Sequence, residues 1–263
     1  MTKKHLNKTI LITGASSGIG EEAAYQAAES GAQLILGARR LNKLEEVKEH
    51  CEALGSPKVH IFPLDIGNPD NVDELIHFLE EEGLSVDVLI NNAGFGHDQP
   101  FVETDFSRVV DLFKINVIGL MYLTQKVAVG MVEQGEGQII NIASLAGKVS
   151  TPNYATYGAT KGAVISFSNA LRMELNPFNI QITVVNFGPV DTPFFDHVGS
   201  ERKDKAYGSP FTLTVKQAGK IVFDTIGTKK REVNRPLLLD IGARLYNFTP
   251  QLVDYVLIKY YNK

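Results

Sequence analysis

The chain has 263 residues, 44% hydrophobic and 21% charged, a composition that supports a sizeable globular core. Its formal net charge of -4 provides no global basic field, so nucleic acid drops out as a partner. Cys51 is the only cysteine, which excludes an intrachain disulfide and fits a reducing, cytoplasmic compartment.

The opening residues, MTKKHLNKTILITGAS, carry basic side chains but no apolar run of signal-peptide length. Short β-rich runs then alternate with helical patterns. Strands are expected at TILIT (9–13), QLILGA (33–38), KVHIF (58–62), DVLIN (87–91), QIINIAS (138–144) and IQITVVN (180–186). Helices are expected near 19–30, 41–54, 69–82, 105–132 and 155–176. Most of the strands are continuous apolar runs, the pattern of strands covered on both faces and hence of a parallel sheet. Region 191–213 breaks the rhythm: it is polar and turn-rich, with Phe194, Phe195 and Phe211 scattered through it, the first two hinting at an apolar wall for a substrate. A helix near 214–227, a short last strand near 231–234 and a helical tail over 236–263 follow, with Thr249 as N-cap and Pro250 as first residue of the final helix. The expected fold is α/β: a doubly wound parallel sheet of about seven strands with helices on both faces, forming one domain over 1–263.

Within the tail, Asp240, Arg244, Pro250 and Asp254 interrupt the apolar stretch 236–258, so it lacks the roughly 20 apolar residues of a membrane-spanning helix. Leu252, Val253, Val256, Leu257 and Tyr260 recur there at helical spacing, after Tyr246 and Phe248. Core packing or a subunit interface is the favoured reading; a cover over a substrate pocket or a peripheral membrane contact is the sharper one.

Three stretches carry chemistry. TGASSGIG follows the first strand, with Gly14, Ser16, Ser17, Gly18, Ile19 and Gly20 opening a helix. Glycines there allow a tight turn, close approach to a pyrophosphate and close helix–strand packing, and the helix N-terminus offers N–H groups to the phosphates. The second strand runs out as LGARR, with Arg39 and Arg40 and no acid until Glu45. A carboxylate at this place would select NAD, whereas a guanidinium grips a 2′-phosphate, so NADP(H) is preferred over NAD(H), with Arg39 the stronger candidate of the two. The third feature is Tyr-x-x-x-Lys, a spacing that stacks the two side chains on one helix face. It occurs at Tyr122/Lys126, Tyr157/Lys161 and Tyr255/Lys259, and spacing alone does not choose among them. The six histidines (His5, His50, His60, His77, His97 and His197) show no metal-ligand spacing, so no metal site is expected.

TGASSGIG, PLDI with Asp65 and Ile66, NNAG with Asn92, Ala93 and Gly94, KINVIG with Asn116, Ser144 at the end of the fifth strand, and Tyr157 with Lys161 in the next helix stand in order over residues 9–192. Together they resemble the short-chain dehydrogenase/reductase family in its simple single-domain branch. The resemblance implies an oxidoreductase that interconverts a carbonyl and a secondary alcohol, with Asp65 on the adenine side and Gly188, Val190 and Thr192 beside the nicotinamide. It selects the middle Tyr/Lys pair as catalytic, and implies that Lys161 holds the nicotinamide ribose, Ser144 the substrate oxygen and Asn116 a proton-relaying water. A Lys161 ammonium about 4 Å away is expected to lower the Tyr157 pKa by about 2–3. Phe187 departs from the family pattern, which often has proline before Gly188. A homodimer or homotetramer through 105–132 and 155–176 is likewise implied. The alternative function is a non-catalytic NADP(H)-binding sensor or scaffold of the same fold.

Overall fold

The computed structural model describes residues 7–192 and 211–261. Phe194, Phe195, His5 and His197, and with them most of the expected substrate region, lie outside the described residues. The chain alternates β1 (Thr9–Thr13), α1 (Gly18–Glu29), β2 (Gln33–Ala38), α2 (Leu41–Leu54), β3 (Val59–Pro63), α3 (Pro69–Glu81) and β4 (Val88–Asn91). There follow α4 (Phe106–Phe113), α5 (Leu120–Gln134), β5 (Gly137–Ser144), α6 (Ala155–Leu175) and β6 (Ile180–Phe187). Two short strands, β7 (Val190–Asp191) and β8 (Leu213–Thr214), pair with each other. The chain then forms α7 (Val215–Phe223), β9 (Glu232–Arg235), α8 (Leu237–Phe248) and α9 (Pro250–Tyr261).

Seven strands pair in parallel in the order β3-β2-β1-β4-β5-β6-β9. The apolar runs have the cause the sequence suggests. Ile10, Ile12, Leu34 and Leu36 point into the core on one face, while Leu11, Ile35 and Leu89 point into the core on the other. The chain leaves the middle of the sheet in one direction through β2 and β3, then returns to start β4 on the other side of β1. That reversal opens a crevice beyond the carboxyl ends of β1 and β4.

Three local differences from the sequence reading have physical reasons. The helix expected at 105–132 is interrupted by a π-helical turn over Lys114–Gly119, which carries buried Asn116. The helix expected to reach residue 227 ends at Phe223; it begins with a capping box between Thr214 and Gln217. Thr249 stands at the expected N-cap position, its carbonyl accepting from Val253 N at 3.3 Å ahead of Pro250, which opens α9, but its hydroxyl donates back to the Leu245 carbonyl at 3.1 Å. By length and composition alone, Phe106–Gln134 could cross a membrane, with mean hydropathy 1.4 in its most apolar window. Half of that window is buried, with Leu112, Leu120, Leu123, Val127 and Met131 packed into the fold.

Candidate active site

The loop from β1 to α1 is shaped by its glycines. Gly14 and Gly18 adopt φ of +67° and +62°, in the left-handed region that side chains disfavour. At Gly20 an added Cβ would lie 2.5 Å from Asn92 Nδ2 and 2.6 Å from the Gly14 carbonyl, so packing, not conformation, demands glycine there. Asn92 donates its side-chain amide to the carbonyls of Thr13 (3.0 Å) and Gly14 (3.3 Å). Thr13 Oγ1 accepts from the backbone N–H groups of Asn92 and Ala93, both at 3.0 Å. The first and fourth strand exits are thereby laced together, a role for Thr13, the first residue of TGASSGIG, that the sequence reading left unassigned.

Ser17 is the N-cap of α1 but makes no side-chain cap, so the hydroxyl leaves the helix N–H groups to another acceptor. The hydroxyl instead accepts from Arg40 Nη2 at 2.8 Å, and the same nitrogen donates to Ser16 Oγ at 3.1 Å and the Ser16 carbonyl at 3.2 Å. Arg40, rather than the favoured Arg39, is therefore the arginine anchored to the glycine loop; Arg39 lies exposed on the same cleft. A glycine-lined turn, an uncapped helix N-terminus and a fixed guanidinium fit a phosphorylated dinucleotide.

The cleft has a volume of about 1810 Å³, well beyond the roughly 300–1,000 Å³ of a drug-sized ligand site and roomy enough for a dinucleotide with a second molecule. It is lined by Gly14, Ser16, Ser17, Gly18, Ile19, Arg39, Arg40, Asp65, Ile66, Asn92, Ala93, Gly94, Ser144, Tyr157, Lys161, Gly188, Val190 and Thr192. Of the predicted site residues, only Gly20 and Asn116 are absent from its wall. Gly20 sits beneath the loop. Asn116 lies behind the wall, accepting from Phe95 N at 3.0 Å and donating to Phe95 O at 2.9 Å and Thr160 Oγ1 at 3.3 Å. Its amide is committed to protein partners, so its side chain clamps the loop after β4 onto α6.

Ser144 ends β5, and its Oγ donates to the Phe187 carbonyl at 3.1 Å and accepts from Ala146 N at 3.1 Å. Phe187, the departure from the family pattern, is buried directly across the sheet from Ser144 and forms part of the wall. Tyr157 and Lys161 stand one turn apart near the start of α6, both buried. Lys161 Nζ donates to the Ile142 carbonyl at 3.0 Å and lies 5.8 Å from the centre of the Tyr157 ring. The expected acidification of the phenol is not found. Burial raises the Tyr157 pKa well above its ordinary value, and a hydrogen bond with Ser144 opposes this only partly. Burial likewise lowers Lys161 to about 8. Desolvation outweighs the attraction between the two groups at this separation.

Sequence reading missed other parts of the wall. Tyr154 packs edge-on against Tyr157 with ring centres 6.1 Å apart and donates to Asp98 Oδ2 at 3.3 Å; its position three residues before Tyr157 on a helix was an available signal. Leu239, Gly242, Ala243 and Leu245 of α8 and Val253 and Leu257 of α9 also line the cleft. The tail thus has a face on the cleft, as its pocket-cover reading required.

The remaining candidates resolve simply. Tyr122 packs partly buried against the core, and both it and Lys126 engage Asp73 of α3 at 2.8 Å. His97 bonds Thr104 Oγ1 at 3.1 Å, and burial, helped by Arg108, lowers its pKa. Cys51 is buried, with its thiol pushed up to about 12 chiefly by desolvation. Among the described residues no three His, Cys, Asp or Glu side chains gather as a metal site.

Known proteins resemble this arrangement. Residues 8–203 match the short chain dehydrogenase family. The chain is similar to "11-beta-hydroxysteroid dehydrogenase-like 2" of Arabidopsis thaliana, 36% identical over 97% of this chain and 83% of the relative. It is also similar to the "NADP-dependent 3-hydroxy acid dehydrogenase" of Schizosaccharomyces pombe, 33% identical over 86% of this chain and 89% of the other. Among solved structures, the closed form of serine dehydrogenase complexed with NADP+ superposes with a TM-score of 0.80 at 30% identity, covering 88% of this chain and 95% of that one.

Proposed function

Because the chain belongs to the short-chain dehydrogenase family, whose oxidoreductases act on CH–OH groups with a nicotinamide cofactor, we propose that it is an NADP(H)-dependent enzyme that interconverts a carbonyl and a secondary alcohol with Tyr157 as acid/base. The observation that carries this reading is that Ser144, Tyr157 and Lys161 line the same cleft as the glycine loop and Arg40. The second strand ends in two arginines without a carboxylate, and the NADP in the name of the fission-yeast relative supports the same choice of cofactor.

The dinucleotide, when bound, supplies or accepts the hydride. Arg40 and the α1 N-terminus would hold its phosphates, with Asp65 and Ile66 on the adenine side and Asn92, Ala93 and Gly94 lining the same cleft. Ser144 donates its hydroxyl to the carbonyl oxygen of the substrate, leaving Phe187 O to do so. As negative charge grows on that oxygen, Tyr157 delivers its proton. Its raised pKa keeps it protonated at neutral pH, which suits the reductive direction. The resulting phenolate is stabilised by the Lys161 ammonium, which also binds ribose hydroxyls. Asn116 acts as a positioning residue through its clamp on Phe95 and Thr160. The exposed apolar side chains of α4, α5 and α6 support a homo-oligomer, and the free, buried Cys51 supports a reducing cytoplasmic location.

The test is Tyr157→Phe, which removes one oxygen and keeps the ring. Turnover of a carbonyl panel, read as NADPH consumption, is expected to fall by about 10²–10⁴ while NADPH affinity barely moves. Full activity in this variant would remove Tyr157 from the mechanism.

A further inference from the structure

Gly242 sits in the interior of α8, where no positive φ calls for a glycine. A glycine at such a place weakens the helix relative to alanine. Nor does packing demand it, because an added Cβ would meet no atom of the described residues within 4 Å. Gly20 and Gly188 differ: their added Cβ atoms would strike neighbouring protein at 2.5 and 2.8 Å. The open space at Gly242 belongs to the cleft, whose wall includes this residue.

That space adjoins the reacting groups. Phe187 stands across the sheet from Ser144, and Gly188 follows it in the chain. Leu239 comes so near Gly188 that a Cβ there would lie 2.8 Å from its Cδ1. Gly242 is three residues beyond Leu239, on the same side of α8. The same helix runs beside Leu145–Gly147, the turn that follows Ser144. Everything else the tail adds to the wall is apolar: Leu239, Ala243 and Leu245 of α8, and Val253 and Leu257 of α9. The charged residues of the two helices, Asp240, Arg244, Asp254 and Lys259, are not part of it, and Arg244 bonds Asp240 at 3.0 Å. We infer that Gly242 sets which substrates fit: its missing side chain admits the apolar body of a carbonyl compound whose oxygen lies at Ser144. The substrate is therefore a ketone or aldehyde with a long or ring-containing hydrocarbon group. The carbonyl rests on the oxidoreductase reading, but the apolar subsite does not.

A series of methyl ketones from 2-butanone to 2-decanone, followed by NADPH consumption, tests the selectivity. Wild-type kcat/KM should rise about two- to fourfold per added methylene as hydrocarbon is buried. Gly242→Leu should cut the ratio of kcat/KM for 2-decanone to that for 2-butanone by about tenfold or more. Gly242→Ala, a smaller intrusion, should cut it by about twofold, and decides the matter should the leucine variant not fold. Calorimetry of 2-decanone with the NADP+-loaded protein reads the subsite without turnover, and Gly242→Leu should weaken that binding about tenfold or more. Both substitutions should hold Tm or raise it by about 2–4 °C, since alanine and leucine favour a helix more than glycine does. Absence of 2-decanone binding by the wild-type protein overturns the inference, as does equal binding by a folded Gly242→Leu protein. A Tm lowered by several degrees in both variants also overturns it, because protein then fills the space. Binding that responds to Gly242 without turnover of any ketone would keep the subsite and remove the oxidoreductase reading instead.

Discussion

At the scale of single residues the site turns on desolvation. Lys161 is held near pKa 8 by burial, so below about pH 8 it is an ammonium and above it an amine. Ribose hydroxyls would favour the ammonium as donor, so cofactor binding should favour the protonated form. NADPH affinity should therefore be flat below pH 8 and fall as pH rises through that value. Fluorescence titration across this range reads it, and Lys161→Met should give a weaker, pH-independent profile. Arg40 is anchored beside the glycine loop by its contacts to Ser16 and Ser17, which makes it the arginine to test for the proposed NADP(H) preference. For Arg40→Ala, loss of a charged hydrogen-bonding partner worth about 1.5–3 kcal/mol predicts NADPH binding weaker by about 10–100-fold. NADH binding should change far less. Equal losses for both dinucleotides would shift the selecting role to Arg39.

Between elements, a partly buried polar chain ties the tail to β6 and to the segment after β5. Lys148, just after Ser144, pairs with Glu232 of β9. Asn186 of β6 donates to Glu232 and, at 2.8 Å, to Asn234; Asn234 donates to Asp240 of α8 at 2.5 Å. Arg244 closes the chain on Asp240 at 3.0 Å. Asp240 ties α8 to β9 through Asn234, and Leu239, Gly242 and Ala243 beside it line the cleft, so this bond helps to set where they stand. Asp240→Ala leaves the buried Asn234 amide without its acceptor, at a cost of about 1–3 kcal/mol. At about 2–4 °C per kcal/mol for a chain of this size, Tm should drop by several degrees. KM for the substrate should rise more than kcat falls, and Asp240→Asn, which keeps an acceptor, should recover most of the KM.

For the whole molecule, the sheet order puts β1 and β4 at the centre, so the cleft opens where chain direction reverses. Away from the cleft, Val110, Ile118 and Val129 on the α4–α5 segment and Met173 on α6 are 52–72% exposed. Such side chains are expected to pack between copies. Light scattering should give a mass that is a multiple of 28.9 kDa, and Val129→Asp with Met173→Asp should lower it toward one chain. A wild-type mass of one chain would end the oligomer proposal.

Strand positions and the glycine loop were legible in the sequence because their signals are local. Ile10, Leu11 and Ile12 in succession require a strand buried on both sides, and glycines at 14 and 18 meet a backbone need that no other residue meets cheaply. The convergence of Ser144, Tyr157 and Lys161 was legible too, as the three line one cleft. The sequence could not indicate what each side chain is spent on. That Asn116 faces Phe95 from a π turn, that Arg40 rather than Arg39 reaches the loop, and that Thr249 bonds backwards all depend on partners distant in sequence or on the local path of the backbone. The sign of the Tyr157 shift was the largest such case. Spacing along a helix brings a phenol and an amine together, but the loss of water around them is set by every element packed on the site, and only the tertiary structure decides it.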